Sequence, residues 1–119
     1  MELKRVVVTG LGAITPVGSS VPEMWENIKN GVSGAGPITH FDPSLFKTKF
    51  ACEVKDFDPL KYFDRKEARK LDRYAQFALI AADEAIADSG MEVEKLDLDR
   101  IGVIFSSGIG GISTFQEEV

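Results

Sequence analysis

The stretch Arg5-Val6-Val7-Val8-Thr9-Gly10-Leu11-Gly12 sets a β-branched run against a pair of glycines. Ile101-Gly102-Val103-Ile104-Phe105-Ser106-Ser107-Gly108-Ile109-Gly110-Gly111 repeats the arrangement. A continuous apolar run without polar alternation is the pattern of a strand buried on both faces, as in the sheets of α/β proteins. Each run therefore predicts a short strand that enters a glycine turn, and the functional site is expected where those strands end.

Glycine after a strand first suggests a phosphate site, because bare backbone lets N–H groups approach an anion at a helix N-terminus. The details argue against it. Gly10-Leu11-Gly12-Ala13-Ile14-Thr15 carries threonine where a dinucleotide fingerprint needs its third glycine, and Pro16 follows where the phosphate-binding helix should already run. Gly108-Ile109-Gly110-Gly111 lacks the Gly-Lys-Ser/Thr of a phosphate-cradling loop.

Composition narrows the classes further. Of 119 residues, 44% are hydrophobic and 28% charged, and the net charge of -5 gives no global basic field for a nucleic acid. No apolar run approaches the roughly 20 residues of a membrane helix, and Val6-Val7-Val8 runs at once into glycine, so a signal-peptide core is not expected. One cysteine forms no internal disulfide framework and suits a reducing interior, which makes the cytoplasm the expected location.

Between the two glycine turns the chain reads as helices and loop. Pro22 suits the first turn of a helix whose apolar face is Met24, Trp25 and Ile28 and which Asn30-Gly31 ends. Residues 32–60 hold Gly34, Gly36, Pro37, Pro43 and Pro59 and read mostly as loop, with one weakly alternating strand over 50–54. Asp64 followed by Glu67 is an acidic capping signature. From there Leu71, Ala75, Ala78, Leu79, Ala82, Ala85 and Ile86 recur at helical spacing until Ser89-Gly90, with Asp72 an alternative point of restart. Ser113 with Gln116 three residues on reads as the cap of a last helix that has begun when the sequence stops.

Lys66, Arg69, Lys70 and Arg73 fall at i, i+3, i+4 and i+7 and place four cations on one helical stripe. Cations near a helix N-terminus oppose its macrodipole, at a cost of a few tenths of a kcal/mol each. Two readings stand on pattern alone: a solvated face paired with Asp64, Glu67 and Asp72, or a docking patch for an acidic partner. Cys52 and His40 are the parts of a nucleophilic dyad, but Phe50-Ala51-Cys52-Glu53-Val54 supplies no helix N-terminus or positive field to activate a thiol. Cys52 is expected as a small core residue, and His40 as a hydrogen-bonding side chain in the loop around Asp42. Ile109 is the only bulk between Gly108 and Gly110, so a turn facing a cavity would make it part of the wall.

The opening Lys4-Arg5-Val6-Val7-Val8-Thr9-Gly10-Leu11-Gly12-Ala13-Ile14-Thr15-Pro16-Val17-Gly18, the segment Asp64-Arg65-Lys66-Glu67-Ala68-Arg69-Lys70-Leu71-Asp72 and Ser107-Gly108-Ile109-Gly110-Gly111 together resemble the β-ketoacyl-acyl-carrier-protein synthases, nearest to the bacterial synthase II type. His40-Phe41-Asp42 and Lys49-Phe50-Ala51 fit the same order. The resemblance implies a thiolase-like fold of five alternating layers, αβαβα, of which residues 1–119 would be an N-terminal segment without a complete second domain. It implies an acyltransferase of fatty acid biosynthesis, a homodimer when full length, whose catalytic cysteine and two histidines lie in motifs this segment lacks. It implies acyl carrier protein as partner, docking on a patch that Lys66, Arg69 and Lys70 match and that Arg73 joins by helical face only. Ile109 matches a position lining the acyl tunnel. No metal or cofactor of its own is implied, because phosphopantetheine arrives on the carrier. A non-catalytic carrier-binding module and a polyketide-type ketosynthase or chain-length-factor subunit are the alternatives.

Overall fold

The computed structural model describes residues 3–119. It divides into two compact units, one made of the residues up to Gly12 with Pro59–Val119, the other of Ala13–Asp58.

In the second unit the chain opens with a tight turn in which Thr15 and Gly18 pair, their N–H groups and carbonyls exchanging bonds of 2.8 and 3.2 Å. Helix α1, Val21–Lys29, follows. Ser20 caps it by accepting from the Glu23 N–H, Pro22 stands in the first turn where no N–H is required, and the Glu23 carboxylate accepts from the Ser19 N–H at 2.7 Å. The Asn27 amide donates to the Val17 carbonyl at 2.6 Å and fastens the helix to the turn. The expected apolar face is only partly realised: Met24 is half-buried, whereas Trp25 and Ile28 are exposed. Strands β1, Ala35–Pro37, and β2, Phe50–Cys52, pair antiparallel with Ala35 opposite Cys52 and Pro37 opposite Phe50. Of this hairpin only the second strand is legible in sequence, because Gly36 and Pro37 are the residues strands disfavour; Pro37, with no N–H to give, fits at an edge.

The first unit is built around helices α2, Arg65–Ala68, α3, Arg73–Ser89, and α4, Ile112–Glu118, with single helical turns at Pro59–Lys61, Val93–Lys95 and Leu98–Arg100. Asp64 caps α2 by accepting from the Lys66 and Glu67 N–H groups, both at 2.8 Å. Asp72 does restart the helix, and α3 ends where expected, on Gly90 with φ 63°. The buried face of α3 is centred one position away from the predicted one. Gln76 and Ile80 are its buried residues, while Leu79 and Ile86 are exposed. The helix backbone at two of the alanines lies close against the N-terminal segment: a Cβ on Gly10 would strike the Ala85 carbonyl oxygen, and one on Gly12 that of Ala81. The Leu11 N–H donates to the Asp88 carboxylate at 2.9 Å beside this contact.

Two expectations are corrected. Neither Val6–Val8 nor Ile101–Phe105 is paired as a strand; β1 and β2 form the sheet found among the described residues. Val6, Val103 and Ile104 are 88%, 89% and 96% exposed, so runs patterned for burial on both faces lie uncovered here. A strand is defined by the ladder it joins, and these residues have no such ladder. The second correction concerns α4, whose cap is Gly111 at φ 67° rather than Ser113. Ser113 lies inside the helix, whose first turn is closed by the Phe115 N–H on the Gly111 carbonyl at 2.9 Å.

Candidate functional site

The four cations are not on one continuous helix. α2 stops after Ala68, Arg69 is its C-terminal cap, and α3 begins at Arg73, so the predicted stripe turns a corner through Lys70, Leu71 and Asp72. The corner has a specific fastening. The buried Gln76 amide donates to the Ala68 carbonyl at 2.9 Å and to the Leu71 carbonyl at 3.1 Å, supplying the hydrogen bonds that the broken helix would otherwise have made within itself. The Lys70 N–H closes the turn on the Glu67 carbonyl at 2.9 Å.

Lys66, Arg69, Lys70 and Arg73 all remain exposed at this corner. Lys66 and Lys70 line one open depression with Asp64, Glu67 and Leu71. Arg73 lies with its guanidinium 5.4 Å from the centre of the Phe77 ring, a cation–π distance. Among the described residues, the ion pairs join Lys29 to Glu26, Lys95 to Glu92 and His40 to Glu53, and none involves Lys66, Arg69 or Lys70. Of the nearby carboxylates, Asp64 accepts from backbone N–H groups at the cap of α2 and Asp72 accepts from the Thr114 hydroxyl, while Glu67 lines the same depression as Lys66 and Lys70.

Ile109 stands apart from that depression and is 75% exposed. The turn that carries it is nevertheless anchored. A Cβ on Gly110 would come within 2.7 Å of the Tyr74 ring, and one on Gly111 within 2.5 Å of the Asp72 carboxylate. The first turn of α3 thus holds the cationic corner through Gln76 and the glycine turn through Asp72 and Tyr74. These three contacts were missed in sequence. The available signal was a polar glutamine in the apolar stretch between Tyr74 and Ala82.

Cys52 and His40 do not form a dyad-like arrangement with a shared base. Cys52 is exposed on β2, not a core residue, because β2 has a neighbour on one side only and the face bearing Cys52 is left uncovered. His40 is directed not to Asp42 but to Glu53, Nε2 to Oε1 at 4.0 Å. Asp42 instead accepts from the Ser44 N–H and hydroxyl. The Glu53 carboxyl is held below the usual carboxylate range, first by the Thr39 hydroxyl at 2.7 Å and next by the Thr39 N–H, with His40 a smaller contribution and desolvation opposing. Among the described residues no group of three His, Cys, Asp or Glu side chains converges to hold a metal ion, and no helix is long and apolar enough to cross a membrane.

Residues 3–119 match the family model for the β-ketoacyl synthase N-terminal domain. The 3-oxoacyl-[acyl-carrier-protein] synthase 2 of Synechocystis is 46% identical over 118 residues, and that of Coxiella burnetii 48% over 117, covering 99% and 98% of this chain. In each case the chain spans 28% of the relative's length. Among solved structures, the ishigamide ketosynthase/chain length factor superposes with a TM-score of 0.66 at 38% identity, covering 76% of this chain and 22% of that one. A ketosynthase in complex with its type II polyketide acyl-carrier protein gives 0.61 at 30% identity, covering 82% and 24%. With a family model matching nearly every residue and both structural neighbours ketosynthases, the chain belongs to the β-ketoacyl synthase family.

Proposed function

We propose that residues 1–119 are the N-terminal segment of a synthase II-type condensing enzyme of fatty acid biosynthesis, with a five-layer αβαβα fold completed by residues beyond those given. The match to synthase 2 relatives along almost the whole of this chain carries the reading. The uncovered runs at Val6–Val8 and Ile101–Phe105 support it, since their pattern suits the interior of a larger sheet.

In this reading the complete protein is a cytoplasmic homodimer. An acyl group passes from the phosphopantetheine thiol of acyl carrier protein to a cysteine thiol outside this segment, releasing the carrier thiol. Malonyl-carrier then loses carbon dioxide, and the carbanion so formed attacks the cysteine thioester, expelling the thiolate and leaving a β-ketoacyl-carrier. Two histidines and backbone N–H groups would stabilise the developing charge. The segment described here supplies recognition. Lys66, Arg69 and Lys70, which make no ion pair among the described residues, present positive charge to the acidic carrier with Arg73 beside them, and Ile109 takes part in the acyl pocket wall. The prosthetic arm comes with the partner, so the enzyme needs no cofactor of its own.

A polyketide-type ketosynthase or chain-length factor is the second reading, favoured by the two structural neighbours. The deciding experiment is a condensation assay on the complete protein with acyl-carrier and malonyl-carrier, following carbon dioxide release and product length. A saturated-chain primer extended by two carbons supports the first reading. Repeated extension without reduction supports the second, and carrier binding without carbon dioxide release would leave only a non-catalytic carrier-binding module.

A further inference from the structure

We propose that Asp72 is a positioning residue that fixes the turn bearing Ile109, and that it thereby ties acyl-chain selection to the cationic corner. Asp72 occupies the N-cap of α3, where an aspartate side chain ordinarily accepts from an N–H of the first turn, yet it makes no such bond. Its carboxylate instead accepts from the Thr114 hydroxyl, 42 residues along the chain, in the first turn of α4. The same carboxylate lies against Gly111, whose φ of 67° and lack of Cβ are both needed at that approach. Two residues further on, the Tyr74 ring lies against Gly110. The first turn of α3 therefore grips two consecutive residues of the turn immediately after Ile109.

Gln76, one helical turn beyond Asp72, reaches the other way, to the Ala68 and Leu71 carbonyls. Asp72 and Gln76 thus make the start of α3 a fulcrum with the cationic corner on one arm and the glycine turn on the other. Displacing either arm must shift the other or break one of these bonds. Asp72 bonds to Thr114 and packs on Gly111, while Ile109 is the residue it serves, so its action is on the shape of the acyl side. This assignment rests on the condensing-enzyme reading for its functional consequence, but its geometry can be read independently.

The test uses the complete protein with Asp72→Ala, Thr114→Val, their combination, and the conservative Thr114→Ser. Amide exchange at residues 110–114 should quicken about tenfold in the first two variants, with exchange at residues 78–85 unchanged. The combination should be no worse than either alone, because both remove one bond. Thr114→Ser, which keeps the hydroxyl, should return exchange to the original rate. In condensation, KM for long acyl-carriers should rise about fivefold in Asp72→Ala and Thr114→Val while KM for short ones holds. Unchanged exchange at 110–114, or additive effects, would overturn the positioning role. Altered exchange in a protein that condenses nothing would leave the positioning role standing and remove the enzyme reading instead. Should Asp72→Ala not fold, Thr114→Val against Thr114→Ser decides alone.

Discussion

The side-chain amide of Gln76 holds the backbone carbonyl of Ala68 at 2.9 Å across a break between two helices. Buried glutamine is uncommon, and here both N–H donors of its amide are used, since the same nitrogen also bonds the Leu71 carbonyl. Gln76→Leu keeps the approximate volume and strands both carbonyls. The expected loss is about 1–3 kcal/mol in the complete protein, read as a lowered thermal midpoint. A change within experimental error would mean that water replaces the amide without cost.

Lys66→Glu with Lys70→Glu should weaken binding of acyl carrier protein by about tenfold at low ionic strength, and the loss should shrink as salt is added, because salt already screens what the variant removes. Equilibrium titration at two salt concentrations checks this. The same pair of substitutions should leave thermal stability nearly unchanged, since neither lysine makes an ion pair among the described residues.

Ile109→Phe should cut condensation of long acyl chains while sparing short ones, consistent with a bulkier wall in the acyl pocket. Rates measured across a series of primers give the answer. An equal loss at every length would indicate a general loss of folded enzyme and would remove Ile109 from the pocket.

Glu53 gives a pH dependence with a definite sign. Its carboxyl titrates lower in the folded protein than when unfolded, so its stabilising contribution is complete above the unfolded value near 4.5 and fades as pH falls through the lower folded value. Glu53→Gln should therefore destabilise at pH 7 more than at pH 3, measured as the urea midpoint. The opposite ordering would show that Thr39 and His40 do not favour the ionised form.

The main helices of this chain were legible, and of its sheet only β2 was, for a physical reason. Asp64, Pro22 and Ser89-Gly90 act within a few residues of themselves, so their consequences follow from sequence alone. Val6–Val8 and Ile101–Phe105 signal burial, but the signal names no partner, and no strand neighbour for them lies among the described residues. Periodicity likewise placed the cations on one face, whereas the break after Ala68 is fastened by Gln76, whose polar side chain among apolar neighbours was the signal and whose partners lie five and eight residues back. The resemblance across three separated motifs identified the family where local patterns could identify only elements.

The glycines at 10 and 12 work as a gauge. Two extended residues advance about 6.6 Å and four helical residues about 6 Å, so a two-residue step in the segment nearly equals one step from Ala85 to Ala81 along α3. The two scales run in opposite directions and coincide at both marks. Sliding by one residue would bring Leu11 against the helix backbone, where there is no room for even a single methyl. Register between the N-terminal segment and α3 is thus set by clearance against the backbone of Ala81 and Ala85, and neither Gly10 nor Gly12 can take a side chain unless that backbone moves.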